Sequence, residues 1–157
     1  MRKVIIALLV VAMVGLSACI GNASWLDSYP DRYYRQNNTD EGNVFYVDRK
    51  SIRHYKDAKT EYIGIIEIDQ SSDLYKTACR QVESTKTPVF VASSIMLDCV
   101  NARFQTRLIA ILAVEKAKPE GLPEIAWQKD FSDSEWAELP GGDIEKGMKA
   151  LLCGPSF

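Results

Sequence analysis

The segment Val89–Lys116, VFVASSIMLDCVNARFQTRLIAILAVEK, decides how the rest of the chain is read. Its first part, VFVASSIMLDCV, is strand sequence, as one bent strand or two. In its second part Phe104, Thr106, Leu108, Ala110 and Leu112 alternate with Gln105, Arg107, Ile109 and Ile111. A charged end, an apolar middle and a period of two suit a sheet strand, although a helix remains open.

Working outward from this segment, more sheet appears on its N-terminal side. Asn43-VFYVD-Arg49 is valine- and aromatic-rich and follows Gly42, which reads as a strand. A second strand is expected over Tyr62–Asp69, where Ile63, Ile65, Ile66 and Ile68 call for burial. The basic stretch between them, DRKSIRHYKDAK, reads as a hairpin connection. It also offers an electrostatic contact for an acidic partner or a polysaccharide. Ser71-Ser72-Asp73 is a helix start, with Leu74, Ala78, Cys79 and Val82 on one helical face.

On the C-terminal side, the prolines and glycine of PEGLPEIAWQ predict a loop, and WAEL near Trp136 a short final strand. Pro140-Gly141-Gly142-Asp143 reads as a turn into a helix. Ile144, Met148, Leu151 and Leu152 form one stripe of that helix, with Cys153 at its end and Gly154-Pro155 as its stop. The fold class expected is α+β: a single domain in which an antiparallel sheet is covered by the C-terminal helix.

The N-terminus supplies the location. Arg2 and Lys3 precede an uncharged apolar run, Val4–Leu16, which has the design of a secretory signal. The run is shorter than the roughly 20 apolar residues that span a bilayer. Leu16-Ser17-Ala18-Cys19 looks like a bacterial lipobox, with Cys19 the lipidated first residue of the mature chain. Cleavage after Ala23 to give a soluble protein is the alternative. The expected organisation is 1–18 signal peptide, 19–42 lipidated tether and aromatic lead-in, and 43–157 the folded domain. Ile20 after the cysteine favours the outer membrane by analogy with lipoprotein sorting; which face the domain occupies stays open. In the lead-in, Trp25, Leu26, Tyr29, Tyr33 and Tyr34 read as folding back over a sheet edge or as a contact surface for a partner. RQNNTDEGN reads as polar turn sequence.

The formal net charge of −2 becomes about −4 once the signal and its two cations are removed. A mildly acidic chain lacks the basic face of a nucleic-acid binder. His54 is the only histidine, so any serine or cysteine mechanism would have to use it. It lies in polar, turn-like sequence and reads as an ordinary exposed histidine. Asp69, Asp73 and Asp98 read as solvated carboxylates, and Asp40-Glu41-Gly42 lacks the ligand spacing of a calcium loop. No catalytic residue, metal site or cofactor is expected. Cys79, Cys99 and Cys153 remain after Cys19; an exported chain favours pairing, and an odd number leaves one thiol over.

One ordered set of motifs rises above fold class. Val47, Asp48, Ser51 and Ile52 are followed by Asp98, Cys99 and Arg103, and then by Trp136, Pro140, Gly141 and Cys153. This order resembles the bacterial surface-adhesin protein E family over roughly residues 43–153. Gly142 stands where that family often has serine, and Cys79 is extra. The resemblance implies a Cys99–Cys153 bridge between a strand and the last helix. It leaves Cys79 as a buried free thiol or an intermolecular link, with bridges from Cys79 to either partner still open. It also implies an outer-membrane lipoprotein acting as a non-catalytic binding module, an adhesin for host matrix or plasma proteins. A periplasm-facing structural role is the alternative. The partners implied are the membrane through the lipid, a host protein and a second copy of the chain. Tyr33, Tyr34, Arg49, Lys50 and Arg53 are the candidate partner-binding residues.

Overall fold

The computed structural model describes residues 25–38, 42–139, 141 and 143–154. The signal run, Cys19, Asp40, Pro140 and Gly142 lie outside the described residues, as do the side chains of Trp25, Ile144 and Met148. Among the described residues the protein is mostly β: one antiparallel sheet of seven strands with few helices. A 3-10 turn, Trp25–Ser28, leads into β1 (Tyr33–Asn38), β2 (Val44–His54) and β3 (Lys59–Glu67). After α1 (Asp73–Cys79) come β4 (Lys86–Asp98), β5 (Arg103–Glu115), β6 (Glu124–Asp130), β7 (Ala137–Glu138) and α2 (Asp143–Leu152). β1 to β6 are neighbours in chain order, and β7 pairs with β5 beyond the end of β6. Each connection is therefore local, as in a meander.

Val89–Lys116 forms the centre of this sheet. It folds as two long strands, β4 and β5, each 13 residues. Their ladder runs from Lys86↔Glu115 to Asp98↔Arg103, with shifts between Pro88 and Phe90 and between Ser94 and Ile95. β4 begins before Pro88, which has no amide N–H for the ladder. A central strand accepts proline only at such an irregularity. The turn between β4 and β5 is closed by Asp98 and carries Ala102 at a φ of 51°.

Register assigns the two faces, because side chains alternate and aligned partners share a face. Tyr46, Ile65 and Ala92 stand side by side across β2, β3 and β4. With Tyr33, Ile63, Phe90, Leu112 and Leu26 from the 3-10 turn they form one buried cluster. The opposite face carries two clusters. Ile68, Val91 and Ile111 pack with Ala78 of α1, and Leu74 and Val82 add to them. Val47, Tyr62, Leu97 and Cys99 pack with Leu152 and Cys153. Gly64 lies on this face, where an added Cβ would sit 2.8 Å from the Phe45 ring, so the ring's position demands glycine.

α1 starts where expected, with Ser72 as N-cap accepting from the Tyr75 amide. Cys79 differs from its expected place on the packed face: α1 ends there and the thiol is exposed. The terminal helix stops before Gly154, whose φ of 75° suits a left-handed cap. At its end Leu152 and the following Cys153 are buried, with Leu151 packed against the same cluster. Cys99 and Cys153 are bridged, as the family resemblance implied.

Three expectations are corrected. The lead-in supplies a strand: β1 includes Tyr33, Tyr34, Arg35 and Gln36 and pairs with β2. It is polar and without apolar period because it is an edge strand with one ladder partner. PEGLPEIAWQ is a loop only in its first half, since Glu124–Asp130 is β6. Pro123 sits just ahead of that strand, where a missing N–H costs nothing. The basic stretch is also strand for most of its length, leaving residues 55–58 as the connection.

The bridge closes a loop across 54 positions, worth roughly 4 kcal/mol in the chain-entropy model. Cys153→Ser is expected to lower unfolding stability by about that amount in urea, an effect reproduced in the native chain by adding reductant. Non-reducing peptide mapping should find Cys79 unbridged.

Candidate functional site

The residues of the first motif build an irregularity in β2 that shapes an exposed basic rim. Asp48 pairs with Ile63 and Arg53 with Glu61, so β2 advances five steps while β3 advances two. Such a bulge bends a strand and re-aims its side chains. Asp48 is 2% exposed and anchors the bulge. The Arg32 guanidinium donates to its carboxylate from Nη2 at 2.9 Å and from Nε at 3.2 Å. The Lys50 amide donates to the same carboxylate at 3.1 Å. Ser51 completes the structure: its hydroxyl donates to the Asp48 carbonyl at 2.6 Å and accepts from the Ile63 amide at 2.7 Å. The hydroxyl thus satisfies backbone groups that the broken ladder leaves unpaired.

Outside this buried frame, Arg49, Lys50, Arg53 and Lys56 are exposed. None of the four is paired with a carboxylate among the described residues. Arg49 lies over the Tyr34 ring, 5.1 Å from its centroid, within cation–π range. Tyr34 is 39% exposed and Tyr55 45%. Tyr55 donates to Glu61 at 2.8 Å, and Ser94 donates to the other oxygen of that carboxylate at 3.1 Å. The hydrogen bond to Glu61 raises the Tyr55 phenol above its ordinary pKa, and the charges of Arg53 and Arg107 act on it in the opposite sense. Arg107, from β5, thus reaches the same neighbourhood.

Of the five candidate partner-binding residues, Tyr34, Arg49, Lys50 and Arg53 are exposed, with Arg49 over the Tyr34 ring. Tyr33 is not: its ring is in the core at 4% exposure, and burial pushes its phenol up to about 12. Adjacent strand residues face opposite sides, so Tyr33 and Tyr34 could not both be exposed on one face. Arg32, Tyr55 and Arg107 were not singled out in the sequence. Only Arg32 had a visible signal, as a cation in the aromatic lead-in that could seek a carboxylate.

The second motif is structural in the same way. Asp98 is 4% exposed. It accepts from the Asn101 amide at 3.0 Å, from the Asn101 side chain at 2.9 Å and from Arg103 Nη2 at 3.0 Å. Burial opposes its ionisation and is the largest single influence. The bonds from Asn101 and the charge of Arg103 together outweigh it and draw the carboxyl down to about 2. Arg103 and Lys59 flank the Trp136 ring at 5.5 and 5.9 Å, which places the Trp136 of the third motif beside Asp98. Asp69 and Asp73 also titrate below the usual range, through hydrogen bonds from Ser71 and Lys76 respectively. His54 is exposed, and its Nδ1 is 3.1 Å from the hydroxyl of buried Thr60. Among the described residues no three His, Cys, Asp or Glu side chains gather as a metal site requires. No described helix is long and apolar enough to cross a membrane.

The seven-stranded antiparallel sheet is protein E-like. Solved structures of Haemophilus influenzae protein E match this chain. Crystal form II superposes with a TM-score of 0.52 at 15% identity, covering 89% of this chain and 95% of that one. The selenomethionine form gives 0.51 at 14% identity, with 90% and 98% covered. The likeness expected from the motif order therefore holds at the level of the fold. No protein-family model matches the sequence, and no curated protein matches it.

Two outcomes follow from the aspartates. Asp48→Asn keeps an acceptor but removes the charge facing Arg32, and should cost roughly 2 kcal/mol in urea unfolding. The folded pKa of Asp98 lies below its unfolded value, so its stabilisation is present above about pH 4 and is lost as pH falls towards 2. Asp98→Asn should flatten stability against pH across that window while leaving the profile above pH 6 parallel to that of the native chain.

Proposed function

We propose that this chain is an outer-membrane lipoprotein whose domain is a non-catalytic binding module, an adhesin for host matrix or plasma proteins. The observation that carries this reading is the protein E fold, matched over about nine-tenths of both chains. In this reading residues 1–18 are a signal peptide, Cys19 carries lipid and residues 19–42 tether the domain. α2 lies on the sheet, held at its end by Cys153. The exposed rim of β2, with Tyr34, Arg49, Lys50 and Arg53, is the face that meets the partner. It is rich in arginine and tyrosine, residue types that concentrate binding energy at interfaces. This reading assigns no catalytic residue: His54 lies within hydrogen-bond reach of Thr60, and Asp48 and Asp98 are each held by an arginine.

The test combines anchoring with exposure. Radiolabelled palmitate should be incorporated into the chain and lost in Cys19→Ser. Protease added to intact cells should remove the domain on immunoblot. Protection until the outer membrane is permeabilised would place the domain in the periplasm and overturn the adhesin reading. His54→Ala should leave binding to any captured host protein unchanged, within about twofold.

A further inference from the structure

The chain is acidic overall, yet its β2 rim is basic. Arg49, Lys50, Arg53 and Lys56 fall within eight residues and share no carboxylate partner among the described residues. The one carboxylate opposite them in register, Glu61, has its oxygens occupied by Tyr55 and Ser94. Four cations within eight residues, none paired with a carboxylate among the described residues, repel one another. A surface that keeps them so is set up for an anion with several charges. Their placement is rigid at one end, because the pairing of buried Asp48 with Arg32 and the Ser51 hydroxyl fix the bulge that carries Arg49 and Lys50.

The geometry of this rim points to a linear sulfated polysaccharide of the heparan type as its ligand. This inference rests on the reading of the rim as the binding face and names the chemistry of the partner. Arg49, Lys50 and Arg53 follow one another along β2, which rises about 3.3 Å per residue, and Lys56 continues the series in the connection after it, so the cations are spaced along the chain as sulfates and carboxylates are on such a polysaccharide. Arginine pairs with these groups through its planar donor fork. The exposed Tyr34 ring beside Arg49 supplies a flat surface for the apolar C–H face of a sugar ring. An anionic bilayer is the less suitable partner. Surface-binding segments insert aliphatic or tryptophan side chains, whereas the large exposed apolar residues of the rim are the tyrosines Tyr34 and Tyr55. Val100 and Leu122, the other exposed ones, lie on different connections.

The experiment uses the full chain in neutral detergent micelles, flowed over immobilised heparin at about 0.15 M salt. Binding should weaken steeply as salt rises, since exposed charges are screened within about 8 Å at that ionic strength. Arg49→Ala/Lys50→Ala should weaken it at least tenfold. Lys116→Ala/Lys118→Ala, which removes the same charge from an exposed turn elsewhere, should change it less than twofold. Tyr34→Ala should weaken it without altering the salt dependence. All variants change exposed residues, and thermal melts should match the native chain. Absence of binding, or equal losses in the two double variants, overturns the inference. So does loss of heparin binding when phosphatidylglycerol is mixed into the micelles, which would give the rim to the membrane surface. A chain that captures a host protein but ignores heparin refutes this inference and leaves the adhesin reading intact. Heparin binding by a domain that protease cannot reach on intact cells does the reverse.

Discussion

Asp48 is a carboxylate almost wholly removed from water, and a buried charge must be matched where it stands. Its match comes from Arg32, sixteen positions earlier and outside the strand that carries it. That pair draws the aromatic lead-in onto the sheet. It sets β1 beside β2, with Tyr33↔Asp48 in register, so that Tyr33 enters the core and Tyr34 faces Arg49. It also holds the bulge that turns Arg49 and Lys50 outward. Edge strand, core cluster and basic rim thus share one electrostatic requirement.

Asp98 does comparable work at the far end of the sheet. It ties the β4–β5 turn through Asn101 and Arg103, and Cys99 follows it directly. The Cys99 amide donates to the Ala58 carbonyl, joining this turn to the β2–β3 turn. The bridge to Cys153 then attaches the end of α2 to the same point. The two aspartate motifs and the cysteine are in this sense scaffold. They hold the fold together, whatever the exposed surface binds.

The strands with β-branched or alternating sequence, β2, β3, β4 and β5, were legible because each has burial on at least one face and shows its period. The helices were legible from Ser72 and from the Ile144–Leu152 stripe. β1 and β6 were not. Both are edge strands with polar, exposed positions, and one lies beside prolines. Their conformation comes from the ladder offered by a neighbour rather than from their own side chains. The exposure of Cys79 was hidden for a related reason: a helix of seven residues ends before its periodicity decides the face of its last position.

On the exposed rim of β2, the sequence by itself determined the composition: a cluster of arginine, lysine and tyrosine in a mildly acidic chain, with a Val-Asp-x-x-Ser-Ile motif inside it. It also determined that the chain would be mainly sheet, since apolar periodicity is a local property of the residues. Tertiary structure decided which of those residues reach solvent. Tyr33 and Tyr34 are identical side chains one position apart, and only the pairing of β1 with β2 sends one inward and the other out. Likewise Arg32 became a half-buried anchor and Arg49 an exposed cation because a carboxylate lies within reach of the first alone. Burial and charge pairing are relations between distant segments, and only folding brings those segments together.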